Sequence, residues 1–375
     1  MKKIIVLGAG MVGSAIAIDL AKNFDVTSAD INQESLRHLS ENYRIKTIQF
    51  DISNSEKLMD CLRNFDLVVC AVPGFMGYKT VETAIEAGKD TVDISFMPED
   101  TMQLNALAQK HNVTVICDCG VAPGMPNVIV GYYNEIMEIS NFDYCVGGLP
   151  KERKFPFEYK APFSPVDVIE EYTRPARYVE NGFLVTKPPM SDAELMSFEN
   201  IGDLEAFNTD GLRSLMFTLK HIPNMKEKTL RYPKHIALIQ ALKAAGFFDK
   251  EPIHVKGNNV VPMDFTSKIL FKSWKLQPTD TEFTVMRISL KGTQNGKPKY
   301  VEYNLYDEFD IETGISSMAR TTGYTATAAV TLIANNLFSD KGVFPPELVG
   351  KHKVCFDFIL KYLAERNIIY RLTQN

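Results

Sequence analysis

The chain has 375 residues, 45% hydrophobic and 23% charged, with 41 basic against 46 acidic side chains and a formal net charge of -5. That length accommodates two or three domains with cores of their own, and the acidic balance excludes a basic surface built for nucleic acid or anionic membrane. No apolar run reaches the roughly 20 residues of a membrane helix, and six scattered cysteines make neither a disulfide framework nor a zinc site.

The N-terminus runs directly into an apolar strand, Ile4–Leu7, broken by Gly8 and Gly10, so no signal peptide is read and a reduced, cytoplasmic setting is expected. Val- and Ile-rich runs recur at Asp25–Ser28, Thr47–Phe50, Leu67–Ala71, Thr91–Ile94 and Val113–Cys117. Between them, Met11–Lys22, Gln33–Asn42, Ser53–Leu62, Lys79–Ala87 and Met102–Lys110 have helical spacing. Apolar strands alternating with helices predict a doubly wound parallel sheet of the Rossmann kind. After Asp118 the beat is lost. Phe142–Gly147, Val255–Val261 and Phe283–Leu290 read as strands, and Asn295-Gly296 as a hairpin turn into Lys299–Leu305. Thr325–Leu337 and Asp357–Glu365 read as helices. The expected organisation is a dinucleotide-binding domain over 1–122, completed by a segment from about 318 to 375. An α+β substrate and oligomerisation domain takes 123–317, with the active site expected in the cleft between the two.

Gly8-Ala9-Gly10-Met11-Val12-Gly13 has the pattern G-x-G-x-x-G, directly after a strand and opening a helix. In that setting Gly8 permits the tight turn, Gly10 lets backbone approach a pyrophosphate, and Gly13 lets the helix pack closely on the sheet. The phosphates would lie at the helix N-terminus, where unpaired amides favour negative charge. Asp30 ends the second strand, about 20 residues on; a carboxylate there accepts from both ribose hydroxyls and repels a 2′-phosphate, which favours NAD. A helix cap is the competing role for Asp30, and for Asp51, which is otherwise a contact to the adenine edge. Ala71-Val72-Pro73 follow the fourth strand, where the nicotinamide half would pass.

The next motif is Asp118-Cys119-Gly120-Val121-Ala122-Pro123-Gly124-Met125-Pro126-Asn127, a rigid turn before a helix starting near Asn127. Further stretches are 146–150, Glu171-Tyr172-Thr173-Arg174-Pro175-Ala176-Arg177, Leu204-Glu205-Ala206-Phe207 and Asp210-Gly211-Leu212-Arg213-Ser214. Then come Thr229-Leu230-Arg231-Tyr232-Pro233, 319–325 and 342–347. In this order they resemble the saccharopine dehydrogenase-like oxidoreductases, and among them the lysine 6-dehydrogenases. Relatives that make or split a secondary amine tend to carry G-x-D-P-G where this chain has Ala122. The family often has R-[YW]-P-G-H, whereas Lys234 stands here in place of that glycine.

The resemblance implies oxidative deamination of the lysine ε-amine, in which lysine, water and NAD give allysine, ammonia and NADH. Such chemistry requires a group that accepts the ammonium proton, an arginine for the α-carboxylate and a carboxylate for the α-ammonium. Motif membership makes Arg320 the first candidate clamp, with Arg231 and Arg213 behind it. Thr322 and Tyr324 are candidate hydrogen-bonding partners. Asp118, Asp93 and His235 are candidate bases or amine partners. A surface or interdomain ion pair is the competing role for each arginine, and a structural one for His235. A secondary-amine oxidoreductase and a non-catalytic NADH sensor are the alternative functions. The partners expected are a small amino acid and further copies of the same chain in a homo-oligomer, with no metal.

Overall fold

The computed structural model describes residues 1–163, 165–277 and 280–375. The chain divides into two compact units.

The first unit comprises Met1–Ile139, Gly292–Lys299 and Met318–Arg371. Its strands β1 (Lys3–Leu7), β2 (Asp25–Asp30), β3 (Lys46–Gln49), β4 (Leu67–Cys70), β5 (Asp90–Asp93) and β6 (Thr114–Ile116) are joined through helices. These are α1 (Met11–Leu20), α2 (Gln33–Tyr43), α3 (Ser55–Leu62), α4 (Gly74–Glu86) and α5 (Asn105–Lys110); α6 (Met125–Asn134) follows β6. The strands lie in the order β6-β5-β4-β1-β2-β3, all parallel, and a seventh strand, Gly342–Phe344, extends the sheet beside β6. The sequence pattern called for six strands; the seventh is too short to show a period and comes from a distant part of the chain.

Ile5, Leu7, Val68, Cys70 and Val115 of the strands meet Leu58, Leu62, Val81, Ala84 and Ile85 of α3 and α4 in a closed core. A buried parallel sheet needs apolar side chains facing both ways, which is why these strands read as continuous apolar runs. The helix Ser317–Ala334 starts well before the expected Thr325. The last helix, Lys353–Ala364, likewise begins ahead of the expected Asp357.

The second unit comprises Ser140–Lys291, Tyr300–Ser317 and Leu372–Asn375. It is built on a mixed sheet whose main path runs Glu194–Phe198, Gly202–Asn208, Asn224–Arg231, Glu138–Pro150, Glu282–Gln294, Lys297–Glu308 and Tyr370–Gln374. Asn224–Arg231 runs parallel to Glu138–Pro150, with Glu227 opposite Tyr144. Ala176–Glu180 and Phe183–Lys187 add a hairpin to one side. Asn295 and Gly296, both at positive φ, form the two-residue turn expected of Asn-Gly.

One strand assignment is corrected. Val255–Val261 is a small hairpin, Ile253–Val255 paired with Asn258–Val260, because Lys256 and Gly257 both adopt positive φ and reverse the chain. Helices Pro165–Thr173, His235–Ala244 and Pro262–Trp274 contribute Tyr172, Ile236, Ile239, Leu270 and Trp274 to a core shared with Leu204, Phe207, Leu230 and Phe283 of the sheet. Among the described residues, no helix is long and apolar enough to cross a membrane.

Candidate active site

The glycine loop has the shape its pattern predicts. Gly8 has φ +109°, and a Cβ there would lie 2.4 Å from the Ala71 carbonyl oxygen. A Cβ on Gly13 would meet the Gly8 carbonyl oxygen at 2.0 Å, so α1 can start this close to β1 only without side chains. Gly10 is exposed, and the space where its Cβ would stand is empty. It caps α1 with no side-chain bond, leaving the first-turn amides without a protein side chain in front of them. Ala9 and Gly13 are buried, whereas Met11 is exposed and Val12 half-buried. An open cradle with unclaimed amides fits a dinucleotide pyrophosphate.

Asp30 stands beside this cradle. Its Oδ2 accepts from the Ala9 amide at 2.6 Å, and its Oδ1 from the Asn32 amide at 2.8 Å. Asn32, not Asp30, caps α2, accepting from the Glu34 and Ser35 amides. The helix-cap role is therefore taken by another residue, and Asp30 is oriented by the glycine loop itself. Asp51 is exposed, and its Oδ1 accepts from the Ser53 amide and hydroxyl, which lower its pKa. Asn54 caps α3 in its place. Val72 is buried, Ala71 half-buried and Pro73 exposed, at the carboxyl end of β4 where α4 begins.

Two acids come together at the carboxyl ends of β5 and β6. Asp93 is fully buried; its Oδ1 accepts from the Ser95 hydroxyl at 2.5 Å and from the Ser95 amide at 3.2 Å. Burial raises its carboxyl to about 7, the Asp118 charge adding to the effect and Ser95 opposing it. Asp118 is 5% exposed, at φ +51°, and opens the turn into α6. Within that turn the Gly120 amide donates to the Pro123 carbonyl at 3.0 Å. Gly124 has φ +143°, and its Cβ would fall 1.8 Å from the Gly120 oxygen, so the chain folds back on itself with no room for a side chain. The helix starts at Met125, slightly ahead of the expected Asn127. Thr322, on Ser317–Ala334, packs its methyl toward Gly120, while Tyr324 is buried on the same helix. Arg320 is 6% exposed and donates from Nη2 to the Arg366 carbonyl at 3.0 Å, so part of its fork already holds the end of the last helix.

In the second unit, Arg231 and His235 meet in one buried network. Arg231 Nε donates to the Tyr172 hydroxyl at 3.0 Å, Nη1 to the Leu230 carbonyl at 2.9 Å, and Nη2 to Glu171 and to the Tyr159 hydroxyl. Its guanidinium lies 4.3 Å from the Tyr159 ring centroid. These bonds use both edges of the fork, so Arg231 has no pair of donors for a substrate carboxylate. Glu171 is its ion-pair partner. His235 is held between the Phe157 carbonyl, 2.8 Å from Nδ1, and the Tyr172 hydroxyl, 3.0 Å from Nε2. A carbonyl only accepts, so Nδ1 carries the proton and Nε2 takes that of Tyr172. Burial and the Arg231 charge push His235 down to about 3, so near neutrality it stays neutral, with its one ring proton on Nδ1.

Arg213 is 8% exposed at φ +49°. The buried contacts of Tyr172, Glu171 and Glu227 are not marked in the sequence, although the first two stand in the 171–177 motif. Nothing in one strand's pattern announces what the next strand brings beside it.

A parallel sheet with an uncapped glycine-loop helix at its carboxyl edge, followed by a mixed-sheet unit, defines an oxidoreductase that binds a pyridine nucleotide. The chain belongs to the saccharopine dehydrogenase family: residues 4–116 match the Saccharopine dehydrogenase NADP binding domain and residues 120–369 the Saccharopine dehydrogenase C-terminal domain. It is 23% identical over 379 residues to the carboxyaminopropylagmatine dehydrogenase of Synechocystis, covering 92% of each chain. It is 24% identical over 267 residues to the mitochondrial alpha-aminoadipic semialdehyde synthase of Mus musculus, which covers 67% of this chain but only 29% of that longer protein. The apo saccharopine dehydrogenase (L-Glu forming) of Saccharomyces cerevisiae shares the fold over the whole of both chains, with a TM-score of 0.82 at 19% identity.

Proposed function

We propose that this oxidoreductase of amino-acid amines oxidises the ε-amine of L-lysine with NAD to an iminium that water hydrolyses, giving allysine, which closes to 1-piperideine-6-carboxylate, together with ammonia and NADH. The observation that carries the reading is the pair of buried acids, Asp93 and Asp118, at the carboxyl edge of a nucleotide-binding sheet. A lysine ammonium, with a free pKa of about 10.4, must lose a proton before its carbon gives up hydride. A carboxyl raised to about 7 is matched to that task near neutrality. Asp93 takes the proton in this reading, with Asp118, whose charge adds to the rise, as the proposed partner of the amine.

A bound nicotinamide supplies the hydride acceptor. The chain's own contribution is to hold it: first-turn amides of α1 on the pyrophosphate, and Asp30 on the ribose. Two backbone amides orient the Asp30 carboxylate, so it cannot swing aside for a 2′-phosphate without releasing the glycine loop. This supports NAD, against the NADP in the matched family's description. Ala122, flanked by Val121 and Pro123, stands where secondary-amine relatives tend to carry a carboxylate, which supports a primary amine. Arg320 and Arg213 remain the proposed carboxylate partners, and a homo-oligomer in the cytoplasm the proposed working form.

One observation favours a second reading: the Synechocystis relative, matched along nearly its whole length, is named for a larger, agmatine-derived substrate. Oxidation of a secondary amine would then replace deamination. The two are separated by supplying lysine, ornithine and saccharopine with NAD and following both NADH absorbance and ammonia. NADH and ammonia in equal amounts from lysine support the proposal. NADH from saccharopine with no ammonia supports the second reading, and NADH from none of them defeats the first.

A further inference from the structure

The glycine loop is tied down from the strand before it and the helix after it. The Gly8 amide donates to the Ala29 carbonyl at 2.8 Å, and the Ala9 amide to Asp30 Oδ2 at 2.6 Å. From the other side comes Ser14, half-buried on α1. Its hydroxyl donates to the Ala9 carbonyl at 3.0 Å, and its amide to the Gly10 carbonyl at 2.9 Å. One residue thus draws two consecutive carbonyls toward the helix. The second bond is an ordinary helical rung that any residue but proline makes, whereas the first needs a side-chain hydroxyl.

The Ala9–Gly10 peptide is trans, and in a trans peptide the C=O and the N–H point in opposite directions. Holding the Ala9 oxygen on Ser14 therefore turns the Gly10 amide the other way. That amide has no acceptor among the described residues, and the space beside Gly10 is open. Gly10 itself sits at φ -71°, but with no Cβ it can take φ of either sign, so a half-turn of the peptide before it meets little resistance. Such a turn would replace a donor by a carbonyl oxygen where the cradle has to receive an anion.

We propose that Ser14 is a positioning residue of the nucleotide site, whose hydroxyl locks the Ala9–Gly10 peptide so that the Gly10 amide faces the pyrophosphate. This rests on nucleotide binding by the N-terminal domain of the family, and not on the lysine reaction. An unlocked loop spends part of its time with the peptide reversed, and affinity falls in proportion to the fraction still competent. The pyrophosphate feels that loss; the adenosine half of the nucleotide, met at the end of β2, does not.

The test compares Ser14→Ala and Ser14→Thr with the wild type in the full chain. Dissociation constants are measured for NADH and NADPH by fluorescence, and for ADP and adenosine by displacement of whichever dinucleotide binds tighter. S14A is expected to weaken the dinucleotide and ADP about fivefold and adenosine less than about twofold, and S14T to restore most of the loss. The urea midpoint should hardly move, because alanine is the better helix former and offsets the lost bond. Hydrogen exchange across residues 8–14 of the unliganded chain should be faster in S14A. ADP bound as tightly by S14A as by the wild type overturns the proposal, as does an equal loss for ADP and adenosine, which would mark general damage. Where adenosine displaces nothing from the wild type, hydrogen exchange decides: faster exchange with weaker ADP supports the lock, and unchanged exchange overturns it. A wild type that binds neither dinucleotide overturns it together with the nucleotide site. Amine turnover enters none of these measurements, so a failed lysine reading does not alter them.

Discussion

At the scale of single residues, burial decides what a titratable group can do. Glu227 titrates at about 8 in the fold and near 4.5 in its absence. Between those values the folded chain keeps a proton that the unfolded chain has lost, so its contribution is complete below pH 4.5 and falls away up to about pH 8. Glu227→Gln removes this dependence; the variant should gain stability relative to the wild type on going from pH 5 to pH 8. Urea midpoints at the two values check it, and a constant difference would show that Glu227 does not titrate in that range. Lys234 gives a second case. It holds φ +82° just before the helix His235–Ala244, the conformation that the family's usual glycine adopts without strain. Lys234→Gly should therefore stabilise the protein by about 1 kcal/mol, read as a higher denaturation midpoint. Asp30 is tested through the cofactor. On the proposed reading Asp30→Ser removes the charge that would face a 2′-phosphate, and the ratio of kcat/KM for NADP over NAD should rise at least about tenfold. A ratio that stays put would take the cofactor choice away from Asp30.

At the scale of elements, the helices of the first unit are tied down by charge as well as by packing. Asp19 on α1 is fully buried and accepts from Arg366 Nε at 2.8 Å, the Tyr362 hydroxyl at 2.8 Å and the Thr327 hydroxyl at 2.8 Å. Those partners hold its carboxyl below the usual range despite burial. One acid thus fastens α1 to the helix Ser317–Ala334 and to the end of Lys353–Ala364. Arg366→Ala would leave the buried carboxylate with only the exposed Lys22 as a counter-ion, at a cost of about 3 kcal/mol. A second change, Asp19→Asn, should recover part of that loss in a double-mutant cycle, whereas simple addition of the two effects would show that they do not act as a pair. None of this was legible in the sequence. Nothing near Asp19 marks it, because Arg366, Tyr362 and Thr327 lie more than 300 positions away in the chain. The glycine loop, the parallel strands and Asp30 were legible because local spacing and a fixed offset encode them. The second unit was legible only in pieces: the Asn295-Gly296 turn declares itself within two residues. The Glu227–Tyr144 and Arg231–Tyr172–His235 contacts depend on strand register and on helix docking.

At the scale of the whole molecule, the first unit is discontinuous, and this has a consequence for where the chain can be cut. Its parallel sheet takes the edge strand Gly342–Phe344 from far down the sequence, pairing with Thr114–Ile116 residue by residue. Ser317–Ala334 lies against α1, with Gly323 so close that its Cβ would be 3.2 Å from the Ile16 side chain. Gly131 of α6 packs on the backbone of Glu347, where a Cβ would lie 2.2 Å from the carbonyl oxygen. A fragment ending at Ile139 keeps the glycine loop and Asp30, and by sequence looks like a complete nucleotide-binding domain. It would nevertheless expose β6, the apolar faces of α1 and α6, and the buried carboxylate of Asp19 together. Those apolar faces would then remain in water, and Asp19 would have lost Arg366, Tyr362 and Thr327, keeping Lys22. The fragment 1–139 is expected to be aggregated or largely unfolded and to bind no NADH, as judged by gel filtration and nucleotide fluorescence. Adding residues 318–371 through a short flexible linker should recover a soluble unit that binds it. Binding by 1–139 alone would show instead that the returning segment is dispensable and that the nucleotide site is built by its first six strands.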